Sequence, residues 1–149
     1  MFSKYSKNKN YAVKIKTFIN PKDRVSLVEI KGKSIAVVGA SNNPEKYGNK
    51  VLQAMKKVSN KIFPVNPKEN EISGIKAFKD INEIKEKIDI VVFVVPPEVT
   101  LNILSKVKSK FIHFWFQPGS FNDGVINYCK INKLNYTDDK CIIIESEKS

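Results

Sequence analysis

The chain has almost no arginine. Arg24 stands alone among 26 basic residues, the rest being lysines. Arginine is the side chain that reads phosphates and guanine edges bidentately. A net charge of +11 carried this way points to lysines solvated over helix faces, not to a nucleic-acid surface. The positive field still favours capture of a small polyanion. Histidine is just as scarce. His113 is the only one, mid-strand, with no acid or cysteine patterned around it, so it reads as structural and no metal cluster is expected. Cys129 and Cys141 lie too far apart for a C-x-x-C motif. They read as reduced thiols of a cytoplasmic protein. No apolar run approaches the ~20 residues that span a bilayer. The basic N-terminus has no apolar core for a secretory signal. It also lacks the arginines of a transit peptide, although organellar targeting by this extension stays open.

What is present fits one domain. A chain of 149 residues with 42% apolar content can bury a sizeable core unaided. Residues 1–31 read as a basic extension with a short helix near 21–30, opened by Asn20-Pro21. Residues 32–149 read as the domain proper. Within it, strands are expected at 34–39, 61–66, 89–95 and 110–116, with a brief one at 74–78 and one or two short strands within 134–145. Helices are expected at 48–59, 80–88, 97–108 and about 121–134. Val51, Leu52, Met55 and Val58 form one inward stripe, Ile81, Ile84 and Ile88 a second, and Val99, Ile103 and Val107 a third. Alternating strands and helices predict an α/β fold: a Rossmann-like, doubly wound parallel sheet with helices on both faces. Pro64 strains this scheme, because proline avoids central strands. Frayed pairing at that strand end would accommodate it.

Ligands of such sheets bind beyond the strand carboxyl ends, so four loops matter. Gly39-Ala40-Ser41-Asn42 follows the first strand, and Tyr47-Gly48-Asn49 opens a helix whose N–H groups and dipole favour an anion. The G-x-G-x-x-G spacing of dinucleotide sites is missing, since the next glycine after Gly39 is Gly48. A plain strand–loop–helix connection explains the same residues. Val65-Asn66-Pro67-Lys68 ends the second strand. A dehydrogenase needs an acid here for the ribose hydroxyls. Lys68 suits a phosphorylated ribose instead, or a simple turn with a solvated lysine. Val95-Pro96-Pro97 makes a rigid corner that can wall a base pocket or merely start a helix. In Trp115-Phe116-Gln117-Pro118-Gly119, Trp115 shares a strand face with Phe111 and His113 and reads as core. Gln117 and Gly119 lie beyond the strand end, where a ligand can meet them.

Taken in order, IAVVGASNNPEKYG, FPVNP, SGIKAFKDINEI, DIVVFVVPPE, WFQPGS and TDDKCIIIE resemble the small stand-alone CoA-binding proteins. That family is itself similar to the N-terminal Rossmann-like domain of the succinyl-CoA synthetase alpha subunit. The resemblance covers about residues 32–146. It implies a five-stranded parallel core that binds coenzyme A without catalysis. It implies that Gly39, Ala40, Ser41 and Asn42 approach the phosphates. Val65, Asn66, Pro67 and Lys68 would lie near the adenosine end, and Val95, Pro96 and Pro97 would border the nucleotide. Lys68 stands next to the synthetase lysine that meets the 3′-phosphate, and is followed here by Glu69. The synthetase's phospho-accepting histidine belongs to a second domain, and His113 does not match it.

The residues read alone agree: no loop brings a nucleophile beside a base, and no carboxylate pair is visible. Cys141 could meet the thiol arm of CoA as a mixed disulfide, although a cysteine opening an apolar strand is ordinarily core. The expected ligand is CoA or an acyl-CoA. No membrane is expected, and a homodimer or an unidentified protein partner stays open. The alternatives are an NAD(P)-dependent oxidoreductase fold and a nucleic-acid-binding module using the basic tail. The first lacks the acid and a substrate domain; the second lacks arginine and interleaved aromatics.

Overall fold

The computed structural model describes residues 29–108 and 112–148. Among them five parallel strands make one sheet: β1 (Ile35–Val38), β2 (Ile62–Val65), β5 (Ile90–Phe93), β6 (His113–Phe116) and β7 (Asn135–Thr137), in the order β2-β1-β5-β6-β7. The register sets Ile35 against both Ile62 and Ile90, Ile90 against His113, and His113 against Asn135. Such strands are apolar on both faces because helices cover both. On one face Ile35, Val37, Ile90, Val92 and Trp115 pack against α1 (Tyr47–Val58) and α4 (Ile142–Ser146). On the other, Ala36, Val38, Val91, Phe93, Phe114 and Phe116 pack against α2 (Pro97–Leu104) and α3 (Asp123–Ile131). Val51, Leu52 and Met55 of α1 are fully buried, each contributing roughly 1.5–3 kcal/mol by burial. A doubly wound sheet of this order switches direction between its first two central strands. Here that point lies between β1 and β5, so the loops after Val38 and Phe93 flank a crevice.

Several expectations are corrected. Pro64 needs no fraying, because β2 is the sheet edge. The Lys61 and Val65 carbonyls accept from Ile35 of β1 and from Gly39 just after it, while the Pro64 carbonyl accepts from Phe78 on the outer side. The missing proline N–H therefore points away from the ladder. The segment 74–78 contributes β4 (Ile75–Lys76), which pairs antiparallel with β3 (Glu71–Ile72). Their two-residue turn has positive φ at Ser73 and Gly74 (52° and 79°), the backbone that tight hairpins require.

The helix expected at 80–88 is only a 3₁₀ turn at Ile81–Glu83, capped by Asp80. Three β-branched isoleucines in nine residues make a weak helix. Ile81 and Ile88 still reach the core along an extended path. In α2 the buried positions are Thr100 and Leu104, while Val99 is 41% exposed, so the predicted stripe is rotated. Of the one or two short strands expected within 134–145, β7 forms, and the apolar end of the segment is instead the helix α4. Ile142 donates its N–H to Gln117 Oε1 (2.8 Å) and is fully buried against α1. This packing overrides isoleucine's preference for strands. The expected N-terminal extension, its helix near 21–30 and Phe111 lie outside the described residues, except that Glu29 and Ile30 are not helical and Ile30 is buried.

Candidate functional site

At the switch point two glycines let two backbones meet. Gly39 has φ +98°, and a Cβ there would lie 2.8 Å from Val95 Cγ1 and 2.9 Å from the Val94 carbonyl oxygen. A Cβ on Gly48 would collide with the Gly39 carbonyl oxygen. The first turn of α1 is therefore pressed directly onto the end of β1. The late second glycine is explained by this contact, not by a dinucleotide fingerprint.

That first turn is open. Lys46 occupies the cap position in extended conformation and offers no side-chain hydrogen bond, and no acid lies in the turn. Among the described residues, no group accepts from the N–H of Tyr47 or Gly48. Unsatisfied N–H groups with the positive end of a helix dipole form an anion-binding position.

The polar side chains of the loops are mostly committed to building it. Ser41 Oγ accepts from Asn43 N–H at 3.0 Å, and the Ser41 carbonyl accepts from Asn49 Nδ2 at 2.9 Å. Asn42 binds the hairpin: its Nδ2 donates to the Glu71 carbonyl (2.9 Å) and Glu69 Oε1 (3.3 Å), and its Oδ1 accepts from Ser73 N–H (3.0 Å). Glu69 is thereby turned toward Asn42. Asn66 Nδ2 donates to the Ala40 carbonyl (2.9 Å), and its Oδ1 accepts from Lys68 N–H (2.8 Å). Asn66 thus ties the loop after β2 to the loop after β1. Pro67 and Lys68 are exposed on its rim. Lys79, which the sequence reading missed, joins them by donating to the Pro67 carbonyl at 3.4 Å. Its signal was the chain's return from β4 to the outer edge of β2, which a one-dimensional pattern does not show. Val95 is half-buried against Gly39, Pro96 caps α2 and Pro97 is its first residue.

Gln117 is not an open ligand contact. It is fully buried. Because Ile142 N–H can only donate, it fixes the amide with Oε1 toward α4 and Nε2 toward Tyr47 and Cys141. Nε2 donates to Tyr47 Oη at 2.6 Å and approaches Cys141 Sγ at 3.5 Å. Tyr47 Oη and Cys141 Sγ are 3.2 Å apart. Since the phenol oxygen accepts from Gln117, its own proton is free for the sulfur. Burial and the neighbouring Cys141 push Tyr47 up to about 12. Burial also pushes the Cys141 thiol up, but hydrogen bonds from Tyr47, Ile144, Gln117 and Ile143 outweigh it and hold the thiol below its ordinary value. The phenol holds its proton, and its contact with the sulfur favours the thiolate form of Cys141. Gly119, at φ +90° beyond Pro118, closes a turn in which Ser120 N–H donates to the Gln117 carbonyl (3.0 Å). It shapes the loop that fixes Gln117.

The remaining candidates are structural. Trp115 is core and donates its indole N–H to the Lys140 carbonyl at 2.8 Å. His113 Nε2 pairs with Thr137 Oγ1 at 2.8 Å, and burial pushes it down to about 4. No group of three or more metal-ligating side chains occurs among the described residues, and no described helix is long and apolar enough to cross a membrane. A groove of about 580 Å³ runs along α1 and α4 from Pro44 to Glu147 and does not include Gly39–Asn42.

Comparison with known proteins places this geometry. A model of the CoA binding domain matches residues 33–147. The chain belongs to this family. Within it, the chain is similar to the uncharacterized protein YneT of Bacillus subtilis, 33% identical over 117 residues that cover 75% of this chain and 84% of YneT. It is also similar to the ADP-forming acetate–CoA ligase of Methanocaldococcus jannaschii, 38% identical over 78 residues. That match covers 52% of this chain but only 11% of the ligase. Among solved structures, a conserved hypothetical protein from Pyrococcus furiosus superposes with a TM-score of 0.68 at 35% identity, covering 76% of this chain and 98% of that one. The CoA binding domain accounts for the parallel sheet and its two helical faces.

Proposed function

We propose that the chain binds coenzyme A, or an acyl-CoA, in the crevice between the loops after β1, β2 and β5. The observation that carries this reading is the open first turn of α1, pressed by Gly39 and Gly48 against the switch point. Its free N–H groups suit the pyrophosphate, with Gly39, Ala40, Ser41, Asn42, Tyr47, Gly48 and Asn49 surrounding it. Val65, Asn66, Pro67 and Lys68, with Lys79 beside them, suit the phosphorylated ribose. Val95, Pro96 and Pro97 suit the edge of the base. Gln117 and Gly119 act indirectly, by holding Tyr47 and Cys141 in place. The chain acts as a binding protein rather than a ligase. Among the described residues no histidine or carboxylate is hydrogen-bonded to the Cys141 sulfur.

Thermal shifts with CoA, 3′-dephospho-CoA, ADP, NAD and NADP test this. A ligand at 100 times its Kd adds about 2.7 kcal/mol to stability, so CoA should raise Tm clearly. A rise with NAD and none with CoA overturns the proposal. Lys68→Ala should weaken CoA more than dephospho-CoA; equal losses remove Lys68 from the 3′-phosphate.

A further inference from the structure

The side chains of Tyr47, Gln117 and Cys141 meet in a cluster that the phosphate reading leaves unexplained, since that reading uses only the backbone N–H of Tyr47. Gln117 is a fully buried amide whose orientation is fixed by α4, and whose remaining donor is aimed at the phenol and the sulfur. Tyr47 is also the first residue of α1, the helix whose open turn faces the proposed pyrophosphate position. Cys141 is partly exposed, unlike Cys129, which is fully buried. A thiol held this way is the kind that reacts as a thiolate. Family membership independently supplies a thiol-bearing ligand class.

We propose that Cys141 undergoes thiol–disulfide exchange with the disulfide form of CoA, leaving the protein carrying one CoA as a mixed disulfide. This rests on the CoA reading above. The Cys141 thiolate attacks one sulfur of CoA disulfide, and the bond between the two CoA sulfurs breaks. A Cys141–S–S–CoA bond forms, and the departing CoA thiolate keeps the electron pair and takes a proton from water. Cys141 is oxidised and the departing sulfur reduced, so no other oxidant is needed.

The surroundings favour this chemistry over acyl transfer from a thioester. Acyl transfer develops an oxyanion that needs its own donors. Here the Ile142 N–H is spent on Gln117 Oε1 at 2.8 Å. Nor is His113 a base for it, being paired with Thr137. Exchange at sulfur creates no oxyanion and needs no base once the thiolate is present. Cys129 is the only other cysteine. It is fully buried, and burial with the nearby Asp138 pushes its thiol up to about 12. No second thiol in the chain is poised to resolve the mixed disulfide, so it should persist until an external thiol removes it.

Incubating the full reduced chain with CoA disulfide, and separately with hydroxyethyl disulfide at equal concentration, tests this by intact mass. One CoA should add at Cys141 and be released by dithiothreitol. The small disulfide should react at least about tenfold more slowly, because it lacks the binding groups that raise effective concentration. Cys129→Ser should react like the parent and Cys141→Ser should not. Should Cys141→Ser fail to fold, peptide mapping of the parent adduct locates the sulfur. Tyr47→Phe should move the pH profile of the reaction upward and slow it about tenfold at neutral pH. No adduct in a chain whose Tm is raised by CoA overturns the exchange and leaves CoA binding standing. Equal rates with both disulfides and no shift with CoA overturn both readings. A hydroxylamine-labile acyl group on Cys141 after acetyl-CoA treatment replaces exchange with acyl transfer.

Discussion

Helices α1 and α2 occupy matching places: each leaves the carboxyl end of a central strand and opens beside the switch point. Their first turns differ in one N–H and one acid. In α1 the cap is empty, no acid is present, and the Tyr47 and Gly48 N–H groups are unclaimed among the described residues. In both helices the third and fourth N–H groups donate to the cap carbonyl, Asn49 and Lys50 to Lys46 (3.0 and 3.3 Å) and Val99 and Thr100 to Pro96 (3.0 Å), but in α2 proline removes one N–H and Glu98 adds negative charge. The end of α1 leaves two N–H groups without a partner among the described residues, while that of α2 has one fewer N–H and carries an acid. The fold creates both positions, and a few residues decide which of them can hold phosphate.

The sharpest way to break this contrast is Gly48→Ala. A methyl group there must displace the Gly39 backbone, and overpacking of this kind costs about 1–3 kcal/mol or somewhat more when backbone must move. We expect a loss near the upper end, measured by urea unfolding, together with loss of the thermal shift given by CoA. A variant with unchanged stability and unchanged CoA response would show that the contact is not tight.

Acid acts at the amino end of the sheet, where His113 opens β6 and Asp89 precedes β5. Burial holds His113 near 4 in the folded state against 6.5 when free. Between those values the unfolded chain binds more protons, so stability present above 6.5 is lost as pH falls toward 4. At roughly 1.4 kcal/mol per unit the loss is about 3 kcal/mol at most. Asp89 contributes only lower: hydrogen bonds from the Ser34 backbone and side chain outweigh burial and hold its carboxyl below 3.8. In His113→Gln the decline between 6.5 and 4 should flatten, as read from Tm against pH, while the decline below it remains.

How far the sequence foretold this contrast depends on the range of the forces. The β1–α1 corner was legible because Gly39, Gly48 and the stripe Val51, Leu52, Met55 and Val58 act locally. The edge position of β2 was not, since the partner of Pro64 is Phe78, fourteen residues on and set by topology. Helix α4 was misread for the same reason. Its three isoleucines favour a strand, and the burial of Ile142 against α1, with its N–H bonded to Gln117 just after β6, holds the chain in a helix instead. Gln117 itself was expected to face ligand because it follows a strand. Burial, which a strand end does not reveal, commits its amide inward. The reactive setting of Cys141 was hidden with it, since residues 47, 117 and 141 meet only once the sheet is formed.

Filling the empty cap of α1 separates stability from binding. Lys46 has φ −83° and ψ 144°, a conformation in which aspartate caps well. Lys46→Asp should add about 1 kcal/mol by satisfying a free N–H. The same carboxylate would occupy the anion position, so CoA affinity should fall about tenfold in a titration. Stability and affinity moving in the same direction would remove the phosphate from this turn.

The smallest expected effect is the mirror of that change. Glu98→Gln removes the acid from the first turn of α2, where it interacts favourably with the helix dipole, and should cost only about 0.3–1 kcal/mol. If α2 takes no phosphate, the affinity for CoA should stay within about twofold, the scatter expected of a distant surface charge in salt. A gain of tenfold or more would mean that Glu98 had been repelling a bound anion. That end of α2 would then be a second phosphate position, and the contrast between the two helices would be one of degree.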